Sequence, residues 1–546
     1  MEQQRAAHTV HSAEVVAASA VVSLARSRLL MVKTMTVSVD PNNVTPPSAL
    51  HARRWFILIA VMLAFTPVVI DMTILHIAVP SLTLALRAST TQVLWIIDIY
   101  SLLMAGLLVP MGTLADRIGH RKMLLTGLFV FGIASLVAAF SATPWMLIAG
   151  RVLLAFGASM IMPCVLGIIR RTFEDPGERA MALGLWGTVG AAGAAVGPLV
   201  GGALLEHFWW GSVFLINIPV VLVIMPIIAF ILPKKEMVSP GKWQISQALL
   251  LIVGLIALVY AVKTGFGGKE PFVIVVLALL VGSTALTIFV RSQLSVAQPM
   301  LDVALFSRPA IVTGVAMAIV TSGALAGVEL TLAQEMQFVL DKSPLQAGLF
   351  MLPIMVAAAV GGPFAGFLSN RLGLRTVASA SLLVASLCLL RLARMDFHDP
   401  GFIVPACLML LGLSLSIGLT ASSIAIMGAV EAEKAGAAGS LEATGYELGA
   451  GLGITFFGVA LSAIYMGALV LPAGVPAELA DAARHSIGDT YVLAGKLPEN
   501  VAAALVTAGK SAFSQAHAVL LTAAGTLIGL LSAAVFLALK NVKAGH

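Results

Sequence analysis

Charge is what this sequence lacks. Of its 546 residues only 11% are Asp, Glu, Lys or Arg, while 59% are hydrophobic; soluble domains carry roughly 25% charged residues. That deficit excludes an ordinary soluble fold and a disordered scaffold alike. Cysteine is scarce too. Cys164, Cys388 and Cys407 stand singly in apolar runs, without the paired spacing of a zinc site or a disulfide framework, so neither a metal nor a cofactor is expected. No H-E-x-x-H or G-x-S-x-G occurs and the ten histidines are dispersed, which argues against a membrane-embedded enzyme. No polar stretch is large enough for a signalling domain, which argues against a sensor. The net charge of +6 comes from scattered Lys and Arg rather than a cluster, so nucleic acid is not an expected partner.

What the chain has instead is recurring uncharged runs, such as Phe56 to Ile70, Met123 to Phe140 and Ala248 to Ala261. Each approaches the roughly 20 residues that cross a bilayer core. Backbone in lipid must satisfy its own hydrogen bonds, and barrel-type alternation is missing. The expected class is therefore all-α integral membrane, its first partner the lipid bilayer. The runs predict about fourteen helices, among them 55–80, 93–114, 244–263, 271–290, 309–335, 439–469 and 516–540. Lys and Arg favour alternate connections, including Arg53, Arg117, Arg121, Arg170, Arg171 and Arg371, which puts those ends and both termini in the cytoplasm. Residues 1–50 read as a separate tail, with Met31 and Met35 as alternative starts. Residues 470–515 read as a solvated outer connector with short surface helices at Ala477 to Arg484 and Glu499 to Thr507, a lid or a partner contact being the alternatives.

An internal repeat organises these runs. Gly112-Thr-Leu-Ala-Asp116-Arg117-Ile-Gly119-His-Arg121 aligns with Gly366-Phe-Leu-Ser-Asn370-Arg371-Leu-Gly373-Leu-Arg375, and the same offset carries Trp55 onto Pro309. Two six-helix halves (51–235 and 301–546) separated by an inserted helix pair (236–300) explain this, a transporter pattern with its site between the halves.

These residues resemble the major facilitator superfamily. Gly112-x-x-x-Asp116-Arg117-x-Gly119-x-Arg121 resembles its signature loop, with His120 replacing a basic residue. Gly190-x-x-Gly193-x-x-x-Gly197-Pro198-x-x-Gly201-Gly202 resembles the motif of its antiporters. Asp71-x-Thr73-x-x-His76, Trp95-Ile-Ile-Asp98-x-Tyr100, Asn217-x-Pro219 and Glu442-x-x-x-Tyr446-Glu447 resemble the fourteen-spanner drug:proton antiporters, in particular the bacterial quaternary-ammonium and methyl viologen efflux pumps. The likeness runs from about residue 53 to the C-terminus. In span 4 Arg151 is kept, but Leu154 and Ala155 stand where Gln and Gly are common, so proton handling there is not carried over in detail. The resemblance implies a monomer in the bacterial inner membrane that exchanges cationic small molecules for protons.

Acids inside spans carry the chemistry. A charge at the bilayer centre costs at least about 2.5–3.5 kcal/mol, and a carboxylate there must hold either a proton or a cation. Asp71 and Asp98 are expected to share the outward part of one cavity. Glu442 and Glu447, five residues apart, point to different faces of span 13, and Tyr446 shares the face of Glu442 and offers a ring to a lipophilic cation. Glu329 lies near the outer end of span 9, whereas Glu335 reads as a loop-end acid. Arg151 stands alone in span 4, with a coupling or gating role or a static ion pair as the alternatives, and His76 is either a proton relay or a packing residue. Asp116, Arg117 and Arg121, with Gly112 and Gly119, are expected to hold a loop between helix ends. Gly193, Gly197, Pro198, Gly201 and Gly202 are expected to let rocking halves pack. An exporter of another metabolite, lipid or neutral drug is the alternative function.

Overall fold

The computed structural model describes residues 47–233, 245–267, 271–296, 299, 303–430 and 435–541; most of the N-terminal tail lies outside them. Met1–Phe56 form one unit, described from residue 47 onward as helix, and Ile57–His546 form the other. Among the described residues there is no strand, and fourteen helices are long and apolar enough to cross a membrane. The first six are α1 (Pro47–Leu86), α2 (Thr90–Ile118), α3 (His120–Ala139), α4 (Pro144–Thr172), α5 (Pro176–His207) and α6 (Asn217–Ile231), the last making its span, Ser212–Ile231, together with the short helical turn Ser212–Leu215 before it. The next pair is α7 (Ile245–Gly267) and α8 (Phe272–Ser295). The last six are α9 (Pro309–Gln334), α10 (Pro344–Leu372), α11 (Leu374–Leu392), α12 (Ile403–Met427), α13 (Ala435–Ala468) and α14 (Glu499–Ala538).

The repeat is wider than the ten residues that announced it. Ser89 begins α2 with a capping box, its hydroxyl accepting from the Gln92 N–H and its own N–H donating to the Gln92 side chain. Ser343 and Gln346 do the same for α10, at the offset that relates the signature loops. The box satisfies amide donors that a helix start leaves orphaned. At the other end, Gly119 after α2 and Gly373 after α10 have φ of +98° and +82°. Both turns occupy a region that disfavours side chains, and each drops straight into the next helix.

Packing in a bilayer rests on small residues and close backbones. A Cβ on Gly453 of α13 would collide with the Gly323 Cα of α9, so these two helices touch backbone to backbone. The halves meet where α2 packs against α13 and α5 against α10, and also where α1 reaches α9. The inserted helices α7 and α8 pack on each other, and α7 also packs on α2 and α13. Outward faces stay apolar, with Phe230 and Phe272 exposed by 88% and 78%, as a lipid-facing surface requires.

Two expectations change at the last connection. Helix α14 begins at Glu499, not near 516, so Glu499 to Thr507 is the start of the final span rather than a separate surface helix. Its first turns are polar enough to hide from a hydropathy reading, but that polarity is used: Lys510 pairs with Asp341 and Ser514 donates to Glu335. The connector itself packs down instead of lying in solvent. Ala483, Ile487 and Thr490 are buried, the Tyr465 and Thr490 hydroxyls are 2.7 Å apart, and Ser462 donates to the His485 carbonyl. Tyr491 donates to the Phe338 carbonyl, and burial, together with nearby Asp341, pushes its phenol up to about 12.

Candidate functional site

Two carboxylates in the N-terminal half are fully buried, and each holds its own cation. On α1, Asp71 Oδ2 accepts from Arg151 Nη1 of α4 at 2.5 Å. Arg151 Nε donates to the Ile96 carbonyl at 3.0 Å, and the guanidinium lies 4.4 Å from the Tyr100 ring centroid. Asn217 of α6 donates to the Ser135 hydroxyl of α3 at 3.1 Å. The arginine is thus fixed by three groups on two neighbouring helices, α1 and α2, which its planar fork suits.

Asp98, on α2, turns elsewhere. Lys263 Nζ of α7 stands 2.8 Å from its Oδ1 and 2.7 Å from its Oδ2, and the Thr455 hydroxyl of α13 donates to Oδ2 at 2.5 Å. Asp71 and Asp98 therefore do not share an outward cavity; each is closed by its own partner. Lys263 is a second intramembrane cation besides Arg151. It falls on the last residue of the expected span 244–263, where a lysine looks like a helix-end charge, and it is the one charge between Lys242 and Lys269.

On α13 the two glutamates separate as their spacing demands. Glu442 Oε1 accepts from the Tyr446 hydroxyl at 2.6 Å, and that hydroxyl also reaches the Leu419 carbonyl of α12. Glu447 faces α2 instead, with Ser101 beside it. It is 4% exposed, and its Oε2 has no hydrogen-bond partner among the described residues.

A cavity of about 500 Å³ opens below Glu447 at the arginine-bearing end of the bundle. Gly112 and Asp116 of α2, Arg171 of α4, and Ser440 and Ala443 of α13 line it. Ser440 and Ala443 precede Glu447 by seven and four residues, which puts the three on one helix face. Leu108 also lines the cavity, and Ser101 precedes it by seven on α2. The unpaired acid thus stands about one turn deeper than the cavity, on the seam between the halves.

The signature loop sits at the mouth. Asp116 meets Arg171 Nη2 at 3.3 Å and His120 Nε2 at 3.6 Å, Arg121 Nη2 donates to the Ala229 carbonyl of α6, and Arg117 is half-buried. In α5, Cβ atoms on Gly193, Gly197 and Gly201 would press on Val69, Thr73 and Ile74 of α1. Gly202 faces the other way: its Cβ would lie 2.7 Å from the Leu345 Cα of α10, and one on Gly348 would lie 2.8 Å from the Pro198 carbonyl. The antiporter-type motif thus packs α5 to its own half by one face and to the other half by the next.

The opposite end is closed across the halves. His76 Nδ1 of α1 is 3.3 Å from Glu329 Oε2 of α9, and Gln337 donates to the Ile77 carbonyl. Glu335 is not a loop-end acid. It is buried in a π-helical turn (Glu335–Val339) that continues α9, accepts from Ser514 at 2.6 Å and lies 3.4 Å from His517 Nδ1. Trp186 of α5 stacks on Phe65 at 5.4 Å.

Known proteins share this architecture. The methyl viologen resistance protein SmvA of Salmonella typhimurium is 46% identical over 491 residues, covering 90% of this chain and 99% of its own. The multidrug efflux pump LfrA of Mycolicibacterium smegmatis is 33% identical over 489 residues, 90% of this chain and 97% of its own. Among solved structures, an inward-facing, unoccupied bacterial homolog of the human lysosomal transporter Spinster superposes with a TM-score of 0.63 at 19% identity, covering 90% of this chain and 98% of that one. A sequence model described as Major Facilitator Superfamily matches residues 61–454. With two capped repeats, an inserted helix pair and a buried seam between halves, this multi-pass chain belongs to that superfamily of membrane transporters.

Proposed function

We propose that the protein is a bacterial inner-membrane antiporter that exports lipophilic cations, quaternary ammonium compounds and viologens among them, in exchange for protons by alternating access. The observation that carries this reading is Glu447: a buried acid on the seam between halves, without a cation, one turn beyond a cavity. A bare carboxylate in that setting is costly. It is relieved by a proton or by a positive guest, and the two relieve it exclusively, which is the elementary condition for exchange. Tyr446 and Glu442 on the neighbouring face supply an aromatic ring and a second acid. The resistance activity named for the Salmonella relative points to the same substrate class.

Cationic rather than anionic cargo is supported by the pairing of Arg151 and Lys263, which leaves neither charge free for an anion. The arginine-bearing end is cytoplasmic by the positive-inside rule, so the cavity faces the cytoplasm and both termini lie there, the protein acting as a monomer. The driving force constrains the stoichiometry. One charge moved through 100 mV is worth about 2.3 kcal/mol. A dication must therefore be exchanged for at least three protons before the membrane potential helps, which suits several exchangeable acids.

The test is purified protein in vesicles with an imposed pH gradient. Movement of ethidium or methyl viologen that stops when the gradient is collapsed is the expected result. Vesicles that hold their gradient and move neither cation overturn the proposal in favour of a metabolite or neutral-drug exporter.

A further inference from the structure

The two buried ion pairs are built differently, and the difference points to a second cation subsite that is already filled. Arg151 belongs to the same half as Asp71 and is held by a carboxylate, a backbone carbonyl and a ring. Lys263 comes from α7, which belongs to neither repeat, and its ammonium bonds to Asp98 alone among the described residues. It also lies 3.7 Å from the centroid of the Trp95 ring, and Tyr260, one turn earlier on α7, packs against that ring with centroids 6.4 Å apart. A carboxylate beside aromatic faces is the surrounding that a quaternary ammonium or phosphonium ion seeks. Here a tethered ammonium occupies it.

We infer that Asp98, Trp95 and Tyr260 form a subsite for the lipophilic cation, and that Lys263 is its built-in occupant, displaced when the transported cation arrives. The inference rests on the cation-export reading and names a site for it beyond Glu447. Position supports exchange. Asp98 lies three residues from Ser101 on α2, and Thr455 lies eight residues from Glu447 on α13, about 12 Å along the axis. The subsite is therefore the next station along the seam that begins at the cavity. The displaced ammonium has somewhere to go, because Lys263 is four residues from the end of α7, about 6 Å, and a lysine stem can carry its head to the membrane surface. Arg151, clamped on three sides, has no such freedom. The inserted helix pair, on this view, delivers a competitor to the transport path.

Binding of tetraphenylphosphonium to the purified full-length protein, by equilibrium dialysis, tests this. Without its competitor, K263M should bind about tenfold tighter than the natural protein, as expected when a blocked site becomes fully competent. K263R keeps the ion pair and the fold but grips Asp98 with a stronger fork, so it should bind more weakly. Combining K263M with D98N should erase the gain. If K263M and K263R both stay within about twofold of the natural protein, the inference is overturned while cation binding itself stands. If K263M does not fold, unchanged affinity in K263R alone overturns it. If the natural protein and all variants, each folded, bind no tetraphenylphosphonium, the cation-export reading fails and takes the subsite with it.

Discussion

His76 of α1 and Glu329 of α9 meet at 3.3 Å, one residue from each half, with the histidine 4% exposed and the glutamate side chain 9%. The pair stands at the end opposite the cavity, beside the Gln337 bond to the Ile77 carbonyl and the α5–α10 crossing. That end is shut by polar contacts across the seam as well as by packing. A transporter that alternates must break them in each cycle.

Replacing Glu329 with Gln removes the charge from this latch and leaves its shape. Spin labels at Glu206 and Lys342, both exposed and on opposite halves, should report a longer distance in E329Q than in the natural protein. An unchanged distance distribution would rule out a latching role.

Breaking the Asp71 pair should be expensive. Asp71→Asn leaves Arg151 charged and buried, and orphaning one member of such a pair costs about 3–5 kcal/mol. Cation resistance in cells should fall to background, with the protein still in the membrane at a visibly lower melting temperature. Retained resistance would remove Asp71 from the exchange.

Glu447→Gln separates function from stability. No cation is stranded by this change, so the melting temperature should hold or rise, because an isolated buried charge is a cost rather than an asset. Ethidium export by reconstituted protein should nevertheless collapse. A large drop in stability would mean that Glu447 has a structural partner, and normal export would eliminate it as the exchanging acid.

Gly202 should tolerate no side chain in the closed arrangement. A Cβ there would lie 2.7 Å from the Leu345 Cα and 2.8 Å from the Pro344 carbonyl, neither of which is a flexible side-chain tip. Gly202→Val should wedge the α5–α10 seam, abolish export and lengthen the same label distance. Gly184→Ala, also in α5 but with open space around it, should leave export unchanged and add up to about 1 kcal/mol of helix stability. Equal behaviour of the two variants would dissolve the argument.

Much of this molecule is legible from the order of its residues because the relevant physics is local. The span count follows from hydropathy over about 20 residues, and the two halves from a loop whose glycine is required by backbone geometry at both copies. The divergent faces of Glu442 and Glu447 follow from helical pitch. Asp71, Asp98 and Glu447 stand out as acids in oil before any contact is known. Their partners do not. Lys263 is 165 residues from Asp98 and Thr455 is 357, so no local pattern pairs them. Whether a buried acid is neutralised by a neighbour or left for a guest is decided by which helices lie side by side. The polar start of α14 likewise looks like surface until Glu335 and Asp341 are brought against it. Local periodicity dictates the helices, and only their three-dimensional neighbours determine which charges are spoken for.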